Sequence, residues 1–222
     1  MRDAYKQDLD HLRDNLDRMI RYVSRATKRA RSAMKETDLM LAEQTIDADD
    51  RIDDLADMVE STTLSMLALQ APVASDLRLI TGAMKFSQAL ERMGDLATHV
   101  AQVARSSYPE PPTPEPIQSV LNEMADKVCD SVELLEKLLN EQDMSLVAAI
   151  IDGDDEIDEY NQRVRRLVAD PEVEMTRQQI VNATLLARFL ERLGDHAAKA
   201  AGRMLYIVRG DLITHHNEDI EI

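Results

Sequence analysis

The 222-residue sequence predicts an all-α protein, a tandem duplication of a three-helix bundle with six helices. Three observations carry this. Only 6 Gly and 7 Pro punctuate the chain, so its elements must be long. Apolar residues recur at threes and fours over most of its length. A short helical pattern, ALERMGDLATHVA (Ala89–Ala101), returns one hundred residues later as FLERLGDHAAKAA (Phe189–Ala201). Apolar residues make up 44% of the chain but aromatics only 3%, with no Trp, so the core must be built from aliphatic side chains packed between helices.

Tyr5, Leu9, Leu12, Leu16, Met19, Val23, Ala26 and Ala30 keep helical time and predict a first helix over roughly residues 3–35. A second is expected from about Thr37 to Leu69, with Ile52, Leu55, Ala56, Val59 and Met66 on its buried side and Pro72 as its stop. The third runs from about Val73 to Ser106. The stretch YPEPPTPEP, Tyr108–Pro116, gathers five prolines and reads as a stiff, extended linker. Ile117, Leu121, Met124, Val128, Val132, Leu135 and Leu139 mark the fourth helix. The fifth spans about Asp143 to Val168, closed by Asp170-Pro171, and the sixth about Thr176 to Val208, stopped at Gly210. The expected organisation is a first bundle over 1–107, the linker over 108–116, a second bundle over 117–210 and a frayed acidic tail over 211–222.

The halves align in detail. Ile80, Ala83, Leu90, Glu91, Arg92, Gly94, Asp95, Ala97 and Ala101 return as Ile180, Ala183, Leu190, Glu191, Arg192, Gly194, Asp195, Ala197 and Ala201. The second helices repeat too, DADDRIDDL (Asp47–Leu55) against DGDDEIDEY (Asp152–Tyr160).

The formal net charge is −16, divided unevenly. Residues 1–107 carry 15 Lys/Arg against 18 Asp/Glu, and residues 108–222 carry 11 against 24. Such a surface repels a phosphate backbone, and few aromatics are present to stack on bases, so nucleic-acid binding is excluded. The one cysteine, Cys129, permits neither an internal disulfide nor a thiolate metal cage and suits a reducing compartment. The charged start MRDAYKQDLD lacks the apolar core of a signal peptide, and no apolar run is long enough to span a bilayer. The expectation is a cytoplasmic protein without a membrane span.

The repeated motif contains two penalties. Gly94 costs its helix about 1 kcal/mol relative to alanine, and Glu91 and Asp95 repel one another a turn apart. On a helical wheel Phe86, Leu90, Met93, Ala97 and Val100 share one face, and Glu91 and Asp95 fall nearly opposite. Glu191 and Asp195 do the same beside Leu186, Leu190, Leu193, Ala197 and Met204. Asp49, Asp53 and Asp57 form a stripe beside the apolar face of the second helix, and Asp154 and Asp158 hold that place in the fifth. Each half therefore presents two acidic pairs at i, i+4 on two helices expected to lie about 8–10 Å apart. A lone acidic run is usually a solvated face. Here the outer acids recur in both copies, and this favours carboxylate sites for hard cations, Mg, Mn, Ca or Fe, with Zn less suited to an all-oxygen shell. The two glycines fit the close approach of a partner helix or ligand. His99 stands one turn after Asp95, but its counterpart is Lys199; His196 has Leu96 as counterpart, and both read as ordinary histidines. Arg92 and Arg192 are expected to pair with acids of a neighbouring helix, and the stripe Arg18, Arg21, Arg25 and Lys28 with the acidic second helix.

The E-R-M/L-G-D and D-D-x-I-D repeats, the segment LQAPVASDLRLI (Leu69–Ile80) and the two three-helix halves together resemble the PhoU family, over about Met1–Arg209. The resemblance implies a peripheral cytoplasmic regulator, a homodimer, that couples the ATPase subunit of a phosphate ABC transporter to a sensor histidine kinase. Such a regulator holds the phosphate-starvation response off while phosphate is plentiful. It also implies metal clusters, of iron, zinc or other ions, on Asp49/Asp53, Glu91/Asp95, Asp154/Asp158 and Glu191/Asp195. The competing reading is a carboxylate-bridged metal enzyme, a ferritin-like oxidase or a hydrolase. The Glu-x-x-His pairs of that oxidase class are missing from these acidic pairs, and no Gly-rich phosphate loop occurs, so a non-enzymatic adaptor is the better reading.

Overall fold

A computed structural model describes residues 2–209, with side chains from residue 5. The acidic tail expected over 211–222 lies outside the described residues. The helices are α1 (Arg2–Glu36), α2 (Leu39–Ile46), α3 (Asp50–Gln70), α4 (Ser75–Ser107), α5 (Ile117–Glu141), α6 (Leu146–Val168) and α7 (Arg177–Arg209). No strand occurs among the described residues.

The two halves follow the same plan: α1, α2/α3 and α4 in the first, α5, α6 and α7 in the second. The expected second helix is interrupted at Asp47–Asp49, so that α2 and α3 stand where one helix was predicted. A cap explains the start of the short piece: the Asp38 carboxylate accepts from Leu41 N–H at 3.0 Å. Its fifth-helix equivalent, α6, runs unbroken through Asp152 and Gly153. Helix α7 opens on a reciprocal box, in which Gln179 N–H donates to Thr176 Oγ1 and Thr176 N–H to Gln179 Oε1.

Helices α4 and α7 form the central pair, and α1 and α5 pack against it and against each other. Helix α3 lies outside α1 and α4, and α6 outside α5 and α7. One continuous aliphatic core results, running from Leu12 and Phe86 in the first half to Leu135 and Leu190 in the second. The contact of Gly82 with Ile207 and the stack of His99 on Phe189 fix α4 and α7 as antiparallel. Residues 108–116 are tucked in rather than extended: Pro112 and Thr113 are buried. Asn182 Nδ2 donates to the Pro112 carbonyl at 3.0 Å, and Thr113 Oγ1 donates to Gln118 Oε1 at 2.8 Å. A buried side-chain amide thus ties the linker to α7 by satisfying one of its buried carbonyls.

Candidate metal centre

The repeated glycine is a socket. In α4 a Cβ on Gly94 would stand 2.8 Å from Ile52 Cδ1 and 3.5 Å from Asp49 Oδ1. In α7 a Cβ on Gly194 would stand 2.8 Å from both Ile157 Cδ1 and Asp154 Oδ1. The D-D-x-I-D motif therefore supplies an Ile knob for the Gly hole, once in each half, and its acids are carried in with it. Of the two occupants the sequence allowed, the partner helix fills the gap. The loss of helix propensity at glycine is offset by burying Ile52 and Ile157, at 1% and 0% exposure, against a neighbouring backbone.

This packing brings the first acids of each stripe inward. Asp49, Glu91, Asp95, Asp154, Glu191 and Asp195 are half-buried, and only Asp53 and Asp158 are exposed. The wheel put Glu91, Asp95, Glu191 and Asp195 on an outer face. The tertiary packing lays a second helix over that face, so they line the groove between two helices.

In the first half Asp49, at the N-cap of α3, and Asp53 of α3 face Asp95 and Glu91 of α4. Burial, reinforced by neighbouring acids, raises the Asp49, Asp53 and Glu91 carboxyls above the usual range. Asp49 Oδ1 and Thr98 Oγ1 are buried beside each other without a well-formed hydrogen bond. The Thr98 hydroxyl, the one group there that favours the charged carboxylate, does not offset burial and the neighbouring acids. The one cation on this cluster, Arg92, bonds Asp95 at 2.8 Å within its own helix. It does not reach across to a neighbouring helix as expected.

In the second half Asp154 and Asp158 of α6 face Asp195 of α7. Burial first, then Asp195 and Asp158, push the Asp154 carboxyl up to about 7. Asp158 is raised by the same causes. Two cations enter here. Arg188 pairs with Glu191, and Lys199 Nζ lies 3.5 Å from Asp195. Glu191 is thus engaged with Arg188 rather than with the α6 acids. Arg188 was not singled out in the sequence; its place three residues before Glu191, at helical pairing distance, is the signal that finds it.

The remaining sequence candidates go elsewhere. The α1 basic stripe faces α5 more than the acidic α3: Lys28 bonds Glu133 at 2.8 Å, while Arg31 and Lys35 meet Asp126 at 3.3 Å. Arg21 pairs with Asp17 of its own helix. His99 stacks on Phe189 of α7 with ring centroids 5.0 Å apart. Burial pushes the Cys129 thiol up to about 12, which makes it inert filler.

All-carboxylate donors with a buried oxygen that lacks a well-formed hydrogen bond fit a hard cation, which would relieve both the desolvation and the mutual repulsion. As arranged, no three Asp, Glu, His or Cys side chains among the described residues are gathered closely enough to hold one ion. To hold an ion the side chains would have to rotate, foremost by the release of Asp95 from Arg92 in the first half and of Asp195 from Lys199 in the second.

Comparison with known proteins agrees with the fold and with its internal repeat. The family model described as "PhoU domain" matches twice, over residues 16–104 and 121–204. The phosphate-specific transport system accessory protein PhoU homolog 2 of Mycobacterium tuberculosis is 34% identical over 210 residues, covering 95% of this chain and 99% of that protein. PhoU homolog 1 of Mycobacterium leprae is 35% identical over 210 residues, 95% of each. Among solved structures, PhoU from Pseudomonas aeruginosa superposes with a TM-score of 0.85 at 28% identity, over 93% of this chain and all of that one.

Proposed function

The chain belongs to the PhoU family, and from that premise we propose that it is a cytoplasmic, metal-binding adaptor of a phosphate ABC transporter. In this reading it couples the transporter's ATPase subunit to a sensor histidine kinase and keeps the phosphate-starvation response off when phosphate is plentiful. Its relatives carry the name of accessory proteins of phosphate-specific transport. Among the described residues no helix is long and apolar enough to cross a membrane, which suits a protein that docks on a transporter rather than embeds in one.

The observation that carries the metal half of this reading is Asp49, a half-buried carboxylate with only the Thr98 hydroxyl to relieve it, in a groove lined by three further acids. In the first half Asp49, Asp53, Glu91 and Asp95 would hold a hard ion such as Fe, Mn, Mg or Zn. In the second half Asp154, Asp158 and Asp195 would do so, with Glu191 after it leaves Arg188. Protein contact is supported by the α3–α4 turn, where Leu69 and Val73 stand 77% and 75% exposed, with Leu64 and Leu77 beside them on the flanking helices. Apolar side chains gathered in water mark interaction sites.

Deletion of the gene tests the adaptor directly. Phosphate-starvation genes are expected to be expressed in phosphate-rich medium, and Leu69→Asp/Val73→Asp is expected to reproduce this while the protein remains folded. Normal repression in the deletion strain overturns the adaptor reading. Metal analysis of the protein purified without chelator tests the second part, with at least one bound divalent ion expected and a metal-free protein that ignores added Mn²⁺ overturning it.

A further inference from the structure

The seam between α4 and α7 has two edges that the duplication should have made alike, and they differ. On one edge the space is closed by His99 stacked on Phe189. On the other a groove of about 520 Å³ stays open, lined by Lys85, Gln88, Ala89, Arg92, His196, Lys199 and Arg203, with Glu91 as the single acid. Shifting each lining residue to its counterpart one hundred positions away explains the difference. Ala89 stands where the other edge has Phe189, and Lys199 where it has His99. Lys85 and Arg203 stand where it has Leu185 and Val103. The plug is replaced by an open floor, and the cations rise from two on the closed edge, Arg188 and Arg192, to four on the open one, Lys85, Arg92, Lys199 and Arg203.

The antiparallel register places these cations in facing tiers. Gly82 faces Ile207 and His99 faces Phe189, so Lys85 lies across from Arg203, Ala89 from Lys199, and Arg92 from His196. From the first tier to the last is seven residues, about 10 Å at 1.5 Å per residue. Arg92 and Lys199 each have one carboxylate, Asp95 and Asp195. Lys85 and Arg203 have no carboxylate within salt-bridge distance among the described residues. A converging row of cations is costly to hold without counter-charge. The α1 face has a second basic groove, lined by Arg21, Arg25, Lys28 and Arg29, which serves as the control.

We infer that this groove is a binding site for a small anion carrying linked phosphoryl groups, with Lys85 and Arg203 at one end and Arg92 and Lys199 at the other. Guanidinium forks and ammonium groups are the usual partners of phosphoryl oxygens, and Gln88 adds an amide donor. A single phosphate reaches only one tier; a chain of two or three phosphoryl groups spans the row. The site adjoins the carboxylate grooves through Glu91, Arg92 and Lys199, the last two paired with Asp95 and Asp195, but its free end, Lys85 and Arg203, lies outside them. It goes beyond the adaptor reading, and either can fail without the other.

The test is calorimetric titration of the full-length protein in EDTA, which removes metal-bridged binding. The probes are tripolyphosphate, ATP, inorganic phosphate and sulfate. Tripolyphosphate is expected to bind at least tenfold more tightly than inorganic phosphate or sulfate. ATP binding equally well identifies a nucleotide tail as the source, and ATP excluded while tripolyphosphate binds identifies a free oligophosphate; both support the site. Lys85→Ala/Arg203→Ala is expected to weaken tripolyphosphate at least tenfold, while Arg25→Ala/Arg29→Ala, on the α1 basic face, leaves it unchanged. Ala89→Phe, which copies the plug of the other edge, is expected to abolish binding with the helical circular dichroism intact. Should that variant misfold, the double alanine variant decides alone. Absence of tripolyphosphate binding in EDTA, equal loss in the α1 control, or sulfate binding as tightly as tripolyphosphate each overturns the inference.

Discussion

The two carboxylate grooves share a motif, a register and an Ile-into-Gly socket, yet they are not electrostatically equivalent. In the first half four acids have one cation among them, Arg92, and a buried Asp49 oxygen is left without a well-formed hydrogen bond. In the second half Arg188 and Lys199 each take up one acid, and the strain is concentrated on Asp154, whose carboxyl is pushed up to about 7. The apolar tips differ too. Leu69 and Val73 stand in water at the α3–α4 turn, whereas Val173 and Met175 at the matching α6–α7 turn pack against the core. After duplication, the helix-to-helix contact constrains Gly, Ile and the first Asp of each motif together. It leaves the flanking charges free to diverge, and those flanking charges set how much uncompensated negative charge each groove keeps.

The sharpest way to break this comparison is metal affinity. Asp49→Asn/Asp95→Asn is expected to weaken the tighter Mn²⁺ site by about 10–100-fold, the range for loss of ligating or supporting groups. Asp154→Asn/Asp195→Asn is expected to affect a weaker site, because Arg188 and Lys199 already neutralise part of that groove. Calorimetric titration of both variants reads this, and a tighter site in the second half would reverse the assignment.

The next effect is packing. Gly194→Ala drives a methyl to 2.8 Å from two side-chain atoms, one of them the Asp154 carboxylate oxygen, whereas Gly94→Ala meets one such contact, the end of Ile52. Urea denaturation is expected to show Gly194→Ala less stable by about 2 kcal/mol and Gly94→Ala by about 1, the overpacking cost exceeding the gain in helix propensity. Equal or stabilising effects would show that the sockets are slack.

A smaller effect follows from pH. The Asp154 proton is held more tightly in the fold than in the unfolded chain, with a folded pKa of about 7 against 3.8. Its contribution to stability is therefore full below the ordinary carboxylate pKa and is lost as pH rises through about 7. Asp154→Asn imitates the protonated form at every pH. In EDTA it should match the parent near pH 4 and exceed it by about 1 kcal/mol at pH 8, less than full linkage because water reaches the half-buried group. Asp49→Asn should move the same way, since burial raises that carboxyl too. A variant that loses stability at pH 8 without metal would refute this account of the groove.

The smallest effect should be equal in both halves. Helix α1 is followed by Thr37 at φ 56° and α5 by Gln142 at φ 54°, both left-handed positions without glycine. Thr37→Gly and Gln142→Gly should each raise the melting temperature slightly, by a gain of about 0.5 kcal/mol. A clear inequality would show that the two first helices are no longer closed by the same device.

Most of the fold was legible from residue spacing, because a helix that buries one face must repeat its apolar residues at threes and fours, and a duplicated bundle must repeat them twice. The three-helix plan, the proline break and the paired acids on matching helices all follow from that periodicity. The break at Asp47–Asp49 did not, since a few residues of altered backbone leave the apolar period nearly intact. The direction of the acids needed the tertiary structure as well: a wheel describes one helix, and Glu91 and Asp95 point outward on it only until α3 is laid across them. The same holds for the cations. Sequence places Arg92, Arg188 and Lys199 within pairing distance of several acids, but a long side chain can reach any of them. Only the packing of α3 on α4, of α6 on α7, and of α4 on α7 decides which carboxylate is neutralised, which buried oxygen is left without a well-formed hydrogen bond, and which edge of the central seam stays open.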